Sequence, residues 1–133
     1  MKKIHIYCML IVLVINLYGC SSSNNIPFFK QLKINDIESI EISQDMEPKN
    51  LKKLSKDEVK SFVKLLNKID DKNLIEYNGP SIKGHSVNIV IGLKSNSNIM
   101  LIQNGKEFLV NIKNKTYKIV QYDLSEYVDK IRG

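Results

Sequence analysis

The 133-residue sequence predicts an α+β fold: one N-terminal amphipathic helix packed on an antiparallel β-meander of four to five strands, with a short C-terminal helix. Three observations predict it. An apolar stripe at helical spacing follows a helix-start signature at Ser55. Between Ser86 and Tyr122, apolar segments of strand length are separated by turn residues. A second, shorter apolar stripe at helical spacing closes the chain.

The elements follow in order. Ile37–Ser43 carries β-branched residues in partial alternation and reads as a strand. Ser55-Lys56-Asp57-Glu58 has the Ser-x-x-Glu spacing of a capping box, in which each side chain satisfies the other residue's backbone N–H. Leu54 and Val59 stand where a hydrophobic staple would. Val59, Phe62, Val63, Leu66 and Ile69 then form one stripe, and Lys60, Lys64 and Lys68 form a ridge expected to be solvated. Asp70–Asn73 closes this helix, and Asn73–Tyr77 is a short strand candidate.

Residues 78–86, opened by Asn78-Gly79-Pro80, read as a loop. Ser86–Leu93 places Val87, Ile89, Ile91 and Leu93 on one face. Ile99–Gln103 follows a polar turn. Asn104-Gly105 is a hairpin signal, since both positions tolerate positive φ. Glu107–Ile112 and Thr116–Tyr122 complete the meander, joined by Lys113-Asn114-Lys115. Asp123 and Glu126 are spaced as a capping pair, ahead of Leu124, Tyr127, Val128 and Ile131.

The second sheet face is less polar than a one-sided sheet requires, because Val90, Met100, Ile102, Leu109 and Val120 fall on it. The C-terminal helix is expected to cover that face. A partner-binding surface is the alternative.

The first twenty residues read as an address. Lys2 and Lys3 supply a positive start, and Ile6–Ile15 is an unbroken apolar run of ten residues. A membrane-spanning helix needs roughly 20 apolar residues, whereas a signal-peptide core needs about 7–15. Leu17-Tyr18-Gly19-Cys20 resembles the lipobox of bacterial lipoprotein precursors: Leu17, Gly19 and Cys20 match, and Tyr18 departs from the usual smaller residue. The whole chain is similar to the small lipoproteins of low-GC Gram-positive bacteria. The resemblance implies cleavage before Cys20, a diacylglyceryl thioether with palmitate-type chains on Cys20, and anchoring on the extracytoplasmic face of the cell membrane. Each buried acyl methylene contributes about 0.8 kcal/mol, so two chains anchor stably where one would not. The expected organisation is a signal peptide at 1–19, a flexible tether at 20–33 and one folded domain at 34–133. Phe28 and Phe29, within the tether, are expected to dock on the domain.

Composition narrows the chemistry. Removing Lys2 and Lys3 with the leader lowers the net charge from +6 to +4, and leaves His85 and Cys20 as the sole histidine and cysteine. Zinc sites need three or four ligands, and no nucleophile-elbow, phosphate-loop or dinucleotide motif occurs. No catalytic, cofactor-binding or metal residue is nominated, and His85 is expected to be a plain loop residue. The single arginine, Arg132, argues against nucleic acid. Lysine, isoleucine and asparagine number 19, 19 and 14, so the basic balance reflects A/T-rich codons more than a ligand.

The strand–helix–meander order is similar to the cystatin-like architecture, and Asn88-Ile89-Val90-Ile91-Gly92 resembles the Q-x-V-x-G loop of cystatin inhibitors, with Asn in place of Gln. The expected function is a non-enzymatic binding or accessory module of the cell envelope, with an envelope protein or wall component as partner. An inhibitor or immunity-type lipoprotein acting on a secreted enzyme or toxin is the alternative.

Inhibiting lipoprotein signal peptidase with a globomycin-type compound should leave a larger, acylated precursor on immunoblots of cell membranes. An unchanged mass would sink the lipobox assignment.

Overall fold

A computed structural model describes residues 29–44, 50–70, 72–82 and 85–133. Within them a seven-stranded antiparallel sheet carries two helices. The strands are β1 (Ile37–Gln44), β2 (Lys52–Lys53), β3 (Leu74–Glu76), β4 (Val87–Leu93), β5 (Asn98–Asn104), β6 (Glu107–Ile112) and β7 (Lys115–Val120). Their spatial order is β2-β1-β4-β5-β6-β7-β3. Helix α1 is Lys56–Leu66 and α2 is Tyr122–Arg132.

The expected architecture is corrected on three counts. The sheet has seven strands, not four to five. No α-helix precedes the sheet among the described residues, only the single 3-10 turn Ile34–Asp36; α1 follows two strands, and a helix, α2, closes the chain. That closing helix is no shorter than α1, since both have eleven residues. Strand β3 falls within the short candidate Asn73–Tyr77, whereas β2, inside the stretch read as a polar connection, escaped the sequence because two residues are too short for an alternation to register. They are strands only because a neighbour pairs with them: Glu41 and Ile42 of β1 with β2, and Tyr117–Ile119 of β7 with β3.

Local chemistry explains the elements that hold. The Ser55 backbone N–H donates to Glu58 Oε2 at 2.8 Å, and the Glu58 N–H donates to Ser55 Oγ at 3.3 Å, so the capping box is closed. Lys60, Lys64 and Lys68 are exposed, as expected of a solvated ridge. The β5–β6 hairpin turns on Gly105-Lys106, one residue later than expected, because Asn104 pairs with Glu107 and only Gly105 takes the positive φ of +61°. At the β6–β7 turn Lys113 and Asn114 both have positive φ, as a two-residue I′ loop demands. Strand β7 ends at Val120 rather than Tyr122, and the α2 cap is Gln121, whose side chain accepts from the Leu124 N–H at 3.0 Å.

Both helices lie on the same sheet face. Ile40, Ile42, Ile89, Ile91, Leu101, Phe108, Val110 and Ile119 share that face and form the core with Phe62, Val63 and Leu66 of α1 and Leu124 and Val128 of α2. Phe29 and Leu32 join the same core, so Phe29 docks on the domain. Polar links tie α2 to α1: Gln121 Nε2 donates to the Leu65 carbonyl at 3.4 Å, and the Tyr127 hydroxyl donates to the Glu58 carbonyl at 3.2 Å. Lys52 of β2 completes the junction, donating to Glu58 Oε1 at 3.0 Å and to the Ile131 carbonyl. The C-terminal helix therefore does not cover the second sheet face, which corrects the sequence expectation.

The Ser55 backbone N–H, and after it the Lys52 ammonium, hold the Glu58 carboxyl below the ordinary carboxylate value. A depressed folded value contributes stability above the unfolded pKa of about 4.3 and loses it as pH falls through the folded value. Urea unfolding of wild type and Glu58→Gln should therefore show a gap at neutral pH that closes on acidification below that window. A gap independent of pH would refute the assignment.

Candidate functional site

Topology creates the site. Helix α1 carries the chain over one face, from the β2 edge to the β3 edge. The chain must then return to β4, which lies four strand spacings from β3. At about 4.8 Å per spacing this is roughly 19 Å. The return segment, described at 77–82 and 85–86, takes the opposite face. Ten residues from 77 to 86 reach about 33 Å when extended, so the crossing is feasible without a helix.

Between this segment and the sheet lies a cleft of about 580 Å³. That falls within the range of about 300–1,000 Å³ usual for ligand pockets. Met100, Ile102 and Leu109 form an apolar floor, with Asn88, Asn98, Asn111 and Thr116 around it. Tyr77, Pro80 and Ile82 form the roof. Met100 is an exposed large hydrophobic residue, 49% accessible. Among the described residues lining the cleft, none is charged, although 26% of the chain is.

The roof is held locally. The Tyr77 hydroxyl donates to the Pro80 carbonyl at 2.8 Å, which folds residues 77–80 onto themselves. A Cβ at Gly79 would stand 2.6 Å from the Tyr77 ring, so glycine is what lets the ring close over this turn. The Tyr77 N–H donates to the Thr116 carbonyl at 2.8 Å and pins the start of the crossing to β7.

Asn88 is the residue whose state needs explaining. It sits on central strand β4, paired with Ser43 of β1 and Ile102 of β5, and is 5% exposed. Neither its side-chain oxygen nor its nitrogen has a hydrogen-bond partner among the described residues. A buried amide left unpaired costs about 1–3 kcal/mol in proteins.

A second cleft, of about 520 Å³, opens at one end of the sheet and includes His85, Lys106, Asp129 and Arg132. Gln103 reaches it, donating through Nε2 to the Gly105 carbonyl at 3.1 Å and to Asp129 Oδ1 at 3.2 Å. Ser125, the buried serine nearby, donates its hydroxyl to the Gly105 carbonyl at 3.4 Å, which binds α2 to the β5–β6 turn. His85 is thus an exposed residue at a polar cleft mouth.

The sequence-nominated residues Leu17, Gly19 and Cys20 lie outside the described residues, as does Phe28. The segment Asn88–Gly92 is a central strand rather than an inhibitory loop, with both neighbours paired along it. Among the described residues no group of three or more His, Cys, Asp or Glu could hold a metal ion, and no helix is long and apolar enough to cross a membrane. Sequence reasoning placed Val90, Met100, Ile102, Leu109 and Val120 together on the second face, and the strand register does so. It named Asn88 only in the Q-x-V-x-G resemblance and not as a site residue, although a signal was present: an asparagine inside an otherwise apolar run of β-branched residues. Compared with family models, with curated proteins and with solved structures, the chain matches none.

Asn88→Leu should raise the free energy of unfolding by about 1–3 kcal/mol, read from the urea midpoint, because it removes two unpaired buried polar groups. A loss of stability would show that the amide is satisfied in the folded protein.

Proposed function

We propose that the chain is a membrane-anchored extracytoplasmic lipoprotein that serves the cell envelope as a non-enzymatic binding or accessory module. The observation that carries the binding half is the roofed cleft on the sheet face that neither α1 nor α2 covers, whose described lining residues carry no charge. Monomeric proteins rarely leave an apolar face open without using it. A sheet with helices on one side only should be polar on the other, and here Met100, Ile102 and Leu109 are not.

The anchoring half rests on Leu17, Gly19 and Cys20 after the ten-residue apolar run Ile6–Ile15. Acylated at Cys20, the domain would hang from the membrane by a segment without charge from Ser21 to Phe29. About nine residues at 3.3 Å each give a reach of roughly 30 Å, so the partner is an envelope protein or wall component close to the bilayer.

A photo-crosslinking amino acid placed at Met100 on intact cells should capture a discrete envelope component. The same group at Lys60, on the solvated ridge of α1, should not. Equal labelling from both positions would count against the cleft. Cys20→Ser should move the protein out of the membrane fraction, and an unchanged distribution would count against the anchor.

A further inference from the structure

The cleft's chemistry narrows what it holds, taking the binding-module reading as its basis. We propose that it binds an extended, uncharged peptide segment whose backbone pairs with the side-chain amide of Asn88.

Asn88 makes the strongest demand. It is nearly buried, lines the cleft, and offers one acceptor and two donors that nothing among the described residues meets. Its complement is one N–H and one C=O presented side by side. A residue in an extended backbone does this, because its own N–H and C=O point to the same side of the chain. Antiparallel ladders use that pair, and a primary amide side chain can substitute for the facing strand. The acetamido group of an N-acetylated sugar is also an amide, but its trans geometry sends N–H and C=O in opposite directions. It can meet one of the two groups and strands the other.

The remaining lining agrees. The described residues around the cleft carry no charge, so a charged side chain entering it would lose hydration and meet no counter-ion among them. Met100, Ile102 and Leu109 reward apolar side chains, while Asn98, Asn111 and Thr116 can bond further backbone groups. The cleft runs from Asn88 on β4 to Thr116 on β7, three strand spacings apart. That is about 14 Å, the length of roughly four extended residues.

The test uses the full-length chain, ¹⁵N-labelled, in detergent micelles. The probes are a pool of N-acetylated, C-amidated hexapeptides built from Ser, Thr, Asn, Val, Ile and Tyr, the same pool with Lys and Glu at alternate positions, and N-acetylglucosamine tetramer. The uncharged pool should shift the Asn88 side-chain NH₂ pair. Members retained in affinity selection should bind at least about tenfold more weakly to Asn88→Leu, as expected for the loss of two hydrogen bonds. Met100→Lys should weaken them similarly by placing a charge on the floor, with its circular dichroism unchanged. Equal binding by Asn88→Leu, or preference for the charged pool, would overturn the peptide proposal. If only the sugar tetramer moves Asn88, the peptide proposal fails while the binding-module reading stands. If no probe moves Asn88 and photo-crosslinking from Met100 captures nothing, both fall.

Discussion

The whole arrangement depends on placing both helices on one face of one sheet. Ile40, Ile42, Ile89, Ile91, Leu101, Phe108 and Ile119 alternate onto that face and are almost entirely excluded from water. Helices α1 and α2 lie over them, joined by Gln121 to Leu65 and by Tyr127 to Glu58. Burial at about 25 cal/mol per Å² of apolar surface is the main favourable contribution, and the fully buried apolar side chains belong to this layer. Polar side chains at the junction are hydrogen-bonded across elements far apart in sequence. Lys52, Glu58, Tyr127 and Ile131 bring β2, α1 and α2 to one point.

The second face follows from the first. Once α1 has carried the chain from one sheet edge to the other, β4 can be reached only by crossing back. The helix side is already filled, and residues 77, 79–82 and 86 of the return segment line the open side. This segment adds no strand to the ladder. It holds its shape through the Tyr77–Pro80 hydrogen bond and the close approach at Gly79, and its attachment through the Tyr77 N–H to Thr116. A roof of this kind leaves space beneath it, where a packed helix would have left none. The unpaired Asn88 amide lies at that space, and buried polar groups without partners concentrate at functional sites rather than in structural cores.

Much of the helix side was legible from residues alone. The capping box at Ser55 and Glu58, the stripe from Val59 to Ile69 and the alternation from Val87 to Leu93 each depend on neighbours within a few positions, which a sequence displays directly. Strand β3 showed only as the short candidate Asn73–Tyr77, and β2 did not show because nothing in Lys52-Lys53 marks a strand apart from the partner that pairs with it. The β5–β6 turn illustrates a finer limit. Asn104-Gly105 signals a hairpin, but strand register sets which residue opposes which, and it moved the turn to Gly105-Lys106. The candidate site was half legible: its apolar floor followed from strand parity, while the importance of Asn88 depends on who its neighbours are.

What the sequence determined by itself was local: where helices begin, which strand residues share a face, the apolar run Ile6–Ile15 ahead of Leu17, Gly19 and Cys20, and the scarcity of residues for covalent or metal chemistry. The tertiary structure alone decided where those faces look. The stripe of α2 is amphipathic and would suit either side of the sheet. Pairing with α1, through Gln121 and Tyr127, commits it to the side already occupied. That choice leaves Met100, Ile102 and Leu109 under a crossing segment instead of a helix, and leaves the Asn88 amide buried without a partner among the described residues. Periodicity records that a residue has a face, but only the packed chain determines what that face meets.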